Sequence, residues 1–331
     1  MTSSPSSQST LSSQSRFSII EASSVGCVAH SRLKEGGEGI IHGVFDAAVN
    51  ILFAGGLVSL VPEAVQRGPL NVTLRLPVEL SRMSSFGIRA GDRVKVQGLT
   101  LELADRHRIS FGSAEIYSQK LKFALPMLAD NEIEANLEVV RKTALLFGNM
   151  AGLGELLALT APRTARTVGG RLNIFASFAL HRIVRLERAF RSEEKNALRD
   201  AVSELIGLGP GLTPSSDDML AGIVLLCVLY AKNRGRAERA SRLIAEMTAE
   251  EACGRTTIIS EEYLRQAASG TGNEPVIRLC TALLTGGQES VEQETRRVLA
   301  IGETSGTDTI LGIVLGTMFC TNKASNLKEE I

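Results

Sequence analysis

A chain of 331 residues is long enough for two domains, each with its own core. Its content of 44% hydrophobic and 22% charged residues describes an ordinary soluble globular protein. Lys+Arg and Asp+Glu both number 36, so no bulk charge directs it to nucleic acid or to a membrane surface, and the lack of tryptophan speaks against surfaces that stack bases or sugars.

Residues 1–15 are rich in Ser, Thr and Gln, with no basic region and no apolar core. They read as a disordered tail rather than a secretory signal. The longest apolar run falls short of the roughly 20 residues that span a bilayer. Five cysteines, Cys27, Cys227, Cys253, Cys280 and Cys320, are dispersed without a CxxC spacing, which suits a reducing cytoplasm. His30, His42, His107 and His181 lack ligand spacing as well, so no metal site is indicated by them.

From Phe17 to about Ser118 the pattern is β. Short apolar runs at 17–20, 39–45, 48–53 and 57–61 are separated by glycine or aspartate, and 71–76, 93–97, 99–103 and 107–111 alternate as half-buried strands do. About eight strands with no helix between them predict an antiparallel sheet or barrel. Gly36-Gly37 and Gly55-Gly56 lack the strand–GxGxxG–helix setting of a dinucleotide site.

After Pro126 the period becomes helical. Helices are expected at about 130–147, 171–190, 192–206, 215–231, 236–249, 257–268, 274–284, 289–301 and 307–319, with glycines 148, 207, 235, 270, 286 and 302 at their ends. The fold class is therefore α+β: a tail at 1–15, an N-terminal antiparallel β domain at 16–125, and a mostly helical C-terminal domain at 126–325.

Within that domain, Gly207-Leu208-Gly209-Pro210-Gly211-Leu212-Thr213-Pro214-Ser215-Ser216-Asp217-Asp218 runs straight into an apolar stretch from Met219 to Ala231. Thr213 before Pro214 reads as an N-cap, and Asp217 and Asp218 fall in the first turn, where the helix dipole suits acidic groups. A helix apolar on every side belongs inside the protein. A polar, glycine-rich mouth thus opens onto a buried helix, as in many anion sites. A capped turn alone would need fewer polar groups than this. The Gly-Lys-Ser/Thr element of a Walker loop is absent.

Ser305-Gly306-Thr307-Asp308-Thr309-Ile310-Leu311-Gly312-Ile313-Val314-Leu315 aligns without gaps on residues 215–225, with Ser, Asp and Gly in step with the apolar run. Two helix N-termini of one design could then face one pocket. Thr256 and Thr257, after Gly254-Arg255, read as an N-cap cluster or as further anion donors. The candidate anion-binding residues are Gly209, Gly211, Thr213, Ser215, Ser216, Thr256, Thr257, Ser305 and Gly306. The candidate acids and bases are Asp217, Asp218 and Asp308. Paired carboxylates could also hold Mg²⁺; no other cofactor is indicated.

The Gly207–Asp218 segment resembles the AllH-like family, with support from Thr256-Thr257-Ile258-Ile259-Ser260 and Glu303-Thr304-Ser305-Gly306-Thr307-Asp308, and more faintly from Gly68-Pro69. Two positions depart from the pattern: Ser216 stands where glycine is expected, and Glu303 where histidine is often found. The resemblance implies one cytoplasmic subunit of an oxamate carbamoyltransferase of allantoin breakdown. That enzyme converts oxalurate and phosphate to oxamate and carbamoyl phosphate, beside an acyl-CoA-synthetase-like FdrA protein and further subunits. No nucleic acid or membrane partner is implied. A non-catalytic scaffold, or a module that binds a carboxylate without turnover, are the alternatives.

Overall fold

Alternating apolar residues in the first third of the chain fold into nine strands: β1 (Ser18–Gly26), β2 (Gly37–Val44), β3 (Val49–Phe53), β4 (Gly56–Pro62), β5 (Asn71–Leu74), β6 (Arg93–Gln97), β7 (Thr100–Leu103), β8 (His107–Ser110) and β9 (Glu115–Tyr117). This computed structural model describes residues 18–76, 82–118, 126–161, 172–234, 237–323 and 327. The Ser-rich tail at 1–15 and Phe17 lie outside the described residues.

The strands run in the order β5-β4-β3-β2-β6-β7-β8-β1-β9, and β5 pairs again with β1. Eight of them therefore close into a barrel, which leaves few edges for unwanted pairing. Closure depends on β1 serving two neighbours. Ser18–Glu21 lie parallel to His107–Ser110, and Ala22–Val25 lie antiparallel to Val72–Leu74, with a register shift between Ala22 and Ser24. The parallel pairing departs from the all-antiparallel expectation, because alternation reports which face a residue occupies and carries no strand direction. Ile20, Ile41, Ile51, Leu60, Leu101 and Ile109 fill the interior. A helix not anticipated from the sequence, α1 (Cys27–Lys34), follows β1. It is only eight residues long and buries little beyond Ala29 and Leu33, so its periodic signal is weak.

The second unit is helical: α2 (Asp130–Phe147), α3 (Leu156–Thr160), α4 (Ile174–Ser192), α5 (Lys195–Ser203), α6 (Ser215–Arg234), α7 (Glu238–Glu251), α8 (Ile258–Ser269), α9 (Glu274–Thr285), α10 (Gln288–Leu299) and α11 (Ser305–Cys320). Nine of these ten stand where the periodicity placed them; α3, a single turn and a half, was not anticipated. The α4/α5 boundary is set by Glu193 in the left-handed conformation (φ 54°) and by Glu194, whose carboxylate accepts the Asn196 and Ala197 amides of the next helix. Two short segments, Gly26–Ala29 and Gln66–Asn71, group with this helical unit rather than with the barrel. They are bound tightly: the Val28 and Ala29 amides donate to the Pro69 carbonyl, and Arg67 pairs with Glu274 at 3.0 Å.

At the centre lie α6 and α11. Glycine lets their backbones meet, Gly222 against Gly312 and Gly316 against Ile223, and further along the Cys227 and Cys320 sulfurs are 3.6 Å apart. These pairs rise together along both helices, so the two run parallel. The same holds for α8, where Ser260 bonds Asp217 and Gly270 abuts Val228. Three helix N-termini consequently gather at one end of the bundle.

Candidate functional site

The loop into α6 needs its glycines. Gly207, Gly209 and Gly211 have φ of 79°, 120° and 100°, and a Cβ on Gly209 would stand 2.7 Å from the Ser215 nitrogen. Buried Asp217 holds this loop from below. One of its oxygens accepts the Gly207 amide at 2.8 Å; the other accepts the hydroxyls of Ser260, at 2.7 Å, and Thr256. Ser216 accepts the Leu208 amide at 3.0 Å, with the carbonyls of Leu205 and Leu208 at 2.5 and 2.7 Å from its hydroxyl. Thr257 caps α8 by accepting the Ser260 amide and donates to the Leu212 carbonyl. Asp217, Ser216, Thr256 and Thr257 thus spend their polar atoms on the protein itself.

Asp218 and Asp308 behave differently. The hydroxyls of Thr213 and Ser305 lie beside Asp218, and those of Ser215 and Thr304 beside Asp308, where they favour the ionised carboxyl. Each aspartate therefore faces the serine that opens the other helix. Thr213 and Ser305 also touch, Oγ1 to Oγ at 3.1 Å. The Leu153 amide donates to Asp308 Oδ1 at 2.7 Å. The Oδ2 atoms of Asp218 and Asp308 are closed off from solvent and have no hydrogen-bond partner. Such atoms are rare in native proteins and mark strain, catalysis or an absent ligand.

Burial is the leading cause of the shifted acidities here. It pushes the Asp308 carboxyl up to about 6, against the help of Leu153, Ser215 and Thr304. Asp218 is raised well above the ordinary aspartate value, by desolvation first and then by the charge of Asp308, with Ser305 and Thr213 opposing. Desolvation also lifts Asp217. The Tyr263 phenol, on α8, is pushed up to about 12 by desolvation and by the nearby Asp218 charge. Perturbed carboxyls at converging helix N-termini are the usual setting for acid–base chemistry.

A segment not singled out in the sequence completes the wall. Gly148-Asn149-Met150-Ala151-Gly152-Leu153-Gly154 wraps the start of α11, and a Cβ on Gly152 would stand 2.4 Å from Asp308 Oδ2. The Asn149 amide donates to the Thr307 hydroxyl at 3.0 Å. Asn173, which caps α4, donates to the Gly152 carbonyl at 2.9 Å. Three glycines in seven residues were the available signal, hidden by the expectation that Gly148 only ends a helix. Gly306, expected to touch an anion, is buried instead; a Cβ there would lie 2.1 Å from the Val298 carbonyl oxygen. By contrast the Gly209 and Gly211 amides, among the described residues, donate to no backbone carbonyl.

Among the described residues, no three His, Cys, Asp or Glu are grouped to hold a metal ion. Mg²⁺ between Asp218 and Asp308 would face the positive ends of two helices, a poor setting for a cation. A cleft of about 630 Å³ opens elsewhere, between α7 and the far ends of α6 and α8, so volume alone does not mark this site.

The description oxamate carbamoyltransferase subunit AllH matches residues 205–317, the stretch that carries the Gly207 loop, α6, the α8 cap and most of α11. The AllH family N-terminal domain matches residues 21–116. The chain belongs to the AllH family. That family is described as a carbamoyltransferase subunit, which points to a larger assembly. No solved structure matches the chain. No helix of this AllH-family chain is long and apolar enough to cross a membrane, among the described residues.

Proposed function

We propose that this AllH-family protein binds the small anions of a carbamoyl transfer at the joined N-termini of α6 and α11, as one subunit of a cytoplasmic multi-subunit enzyme of allantoin breakdown. The reaction is oxalurate plus phosphate to oxamate plus carbamoyl phosphate. What supports this reading is the pair itself: Asp218 beside Ser305, Asp308 beside Ser215, and one buried oxygen on each without a hydrogen-bond partner.

Chemistry follows from those groups. The Gly209 and Gly211 amides, with two helix dipoles behind them, hold the anionic oxygens. A phosphate oxygen attacks the ureido carbon of oxalurate, forming a C–O bond and a tetrahedral oxyanion that amides stabilise. When the bond from that carbon to the oxamate nitrogen breaks, the nitrogen takes a proton from the protonated carboxyl, Asp218. The ionised carboxyl, Asp308, receives the proton that phosphate gives up, and the pair ends with the same proton count. Asp217, Ser216, Thr256 and Thr257 keep the loop in place. FdrA-like and other subunits complete the enzyme.

Ligand-dependent thermal stability of the full chain tests the site, since a ligand that binds only the native state raises the melting temperature. Phosphate, carbamoyl phosphate, oxamate and oxalurate are each expected to stabilise the protein, with and without Mg²⁺, and Ser305→Ala to weaken the effect of each. Turnover by the assembled enzyme is expected to fall with Asp218→Asn. Unchanged turnover in that variant would remove the chemistry from this subunit.

A further inference from the structure

Among the described residues from 126 onward, six large apolar side chains are exposed, and all six lie at the end of the bundle where α6, α8 and α11 begin. Leu145, Leu146 and Phe147 close α2, Ile174 and Phe178 open α4, and Leu212 stands in the loop into α6. Leu146 is 75% exposed, Ile174 64%, Phe147 54% and Phe178 53%. An exposed leucine here and there needs no explanation; a set gathered at one end of a bundle, with none at the other, marks a binding face.

The three pieces are tied together at the wall of the pocket. Gly148 follows Phe147, and a Cβ on it would stand 3.0 Å from Thr307 Oγ1. Asn173, which precedes Ile174, donates to the Met150 and Gly152 carbonyls at 3.2 and 2.9 Å. Thr213, after Leu212, meets Ser305 at 3.1 Å. The apolar face and the candidate site therefore share one end of the molecule.

Charge says what kind of surface fits this face. The guanidinium of Arg296 lies 3.8 Å from the Phe147 ring centre, and that of Arg182 5.9 Å from the Phe178 ring centre. Beyond Phe178 the outward side chains of α4 include His181, Arg185 and Arg188, and its one carboxylate, Glu187, is buried against Arg191. Arg185 pairs with Glu204 at 2.5 Å, whereas Arg182 and Arg188 form no ion pair among the described residues. Aromatic rings beside arginines are what interface centres favour. A second copy of this chain would set arginines against arginines, which is unfavourable. An acidic rim on an unlike chain would meet them.

We propose that the face formed by Leu146, Phe147, Ile174, Phe178 and Leu212 docks a different subunit of the enzyme, through an apolar patch bordered by carboxylates. This assignment rests on the reading of the chain as one subunit of a larger enzyme, and it names the surface that joins the assembly, beside the anion site.

The test is titration of the full chain with the remaining subunits of the enzyme, purified separately, for wild type, Leu146→Asp and Phe178→Asp. Both side chains are exposed, so each variant should keep the melting temperature and the phosphate-induced shift of wild type. Each is expected to weaken assembly at least about 10-fold, as loss of an apolar anchor does. Arg188→Glu should weaken it as well, and wild-type affinity should fall with added salt. Affinities of both aspartate variants within about two-fold of wild type would overturn the docking face. Sedimentation showing that the chain alone dimerises, and that Phe178→Asp makes it monomeric, would assign the face to a second copy and overturn the unlike partner. Loss of the phosphate response in wild type with assembly intact would instead strike the anion site and leave this face standing.

Discussion

Gly222 and Gly312 lie back to back where α6 crosses α11. A Cβ on Gly312 would stand 2.0 Å from the Met219 carbonyl oxygen, and one on Gly222 2.3 Å from that of Thr309. This approach sets how near the two helix N-termini come, and hence whether Ser305 reaches Asp218 and Ser215 reaches Asp308. The obstacle is backbone, which cannot rotate away. Gly312→Ala is expected to cost about 2–3 kcal/mol, in the upper part of the range for overpacking. At Gly316 the nearest atom to an added Cβ is 3.0 Å away, the Ile223 carbonyl oxygen, so alanine there should cost less. Urea denaturation of the two variants checks the order; Gly316→Ala as the more damaging change would mean the helices do not meet as described.

Asp217 and Asp218 are neighbours in sequence with opposite duties. Asp217→Ala strips the acceptor from the Gly207 amide and from the hydroxyls of Thr256 and Ser260. A loss of about 2 kcal/mol is expected, the penalty of unmet buried donors offset in part by relief of a buried charge. Asp218→Asn leaves its hydroxyl neighbours an acceptor oxygen, so it should keep its stability and lose ligand response. Denaturation midpoints and ligand-induced melting shifts on the two variants separate the duties. Equal effects on both readouts would contradict the division.

How much of this was legible beforehand depends on what each signal measures. Short apolar runs and apolar alternation together located eight of the nine strands, and helical period with terminal glycines located nine of the ten helices of the second unit, because these patterns follow from which faces are buried. The parallel closure between β1 and β8 was invisible, since strand direction leaves no mark on alternation. At the site, matching Ser215 to Ser305 and Asp218 to Asp308 anticipated two like helix starts. It could not show that each serine faces the opposite aspartate, because that swap belongs to helix packing. Nor could residue type tell Asp217 from Asp218: one residue of rotation at a helix start turns one inward to the loop and the other to the pocket.

Gly152 packs against the Asp308 carboxyl. With alanine there, the methyl would stand 2.4 Å from Oδ2 and 2.6 Å from Oδ1 and would displace the carboxyl. Gly152→Ala is therefore expected to weaken anion binding by at least about 10-fold, roughly one lost charge-assisted hydrogen bond. Titration calorimetry with oxamate reads this directly, and affinity equal to wild type would place the ligand away from Oδ2.

Asp308 also ties stability to pH. Its carboxyl is raised to about 6 in the fold by desolvation, against an unfolded value near 3.9. The native state therefore binds this proton more tightly than the unfolded chain does. Its stabilising contribution is fully present below about pH 4 and is lost as pH rises through about 6. A rise of that size corresponds to about 3 kcal/mol, the cost carried at neutral pH for keeping an ionised group buried without its full set of donors. Asp308→Asn is neutral at every pH and can still accept the Leu153 amide. The variant is expected to be more stable than wild type at neutral pH, by about 1–3 kcal/mol, and the gap should close between pH 6 and 4. Urea denaturation of wild type and Asp308→Asn across that pH range decides the matter. A variant less stable than wild type at neutral pH would mean that the Asp308 charge is well satisfied in the folded protein, with no oxygen left waiting for a ligand.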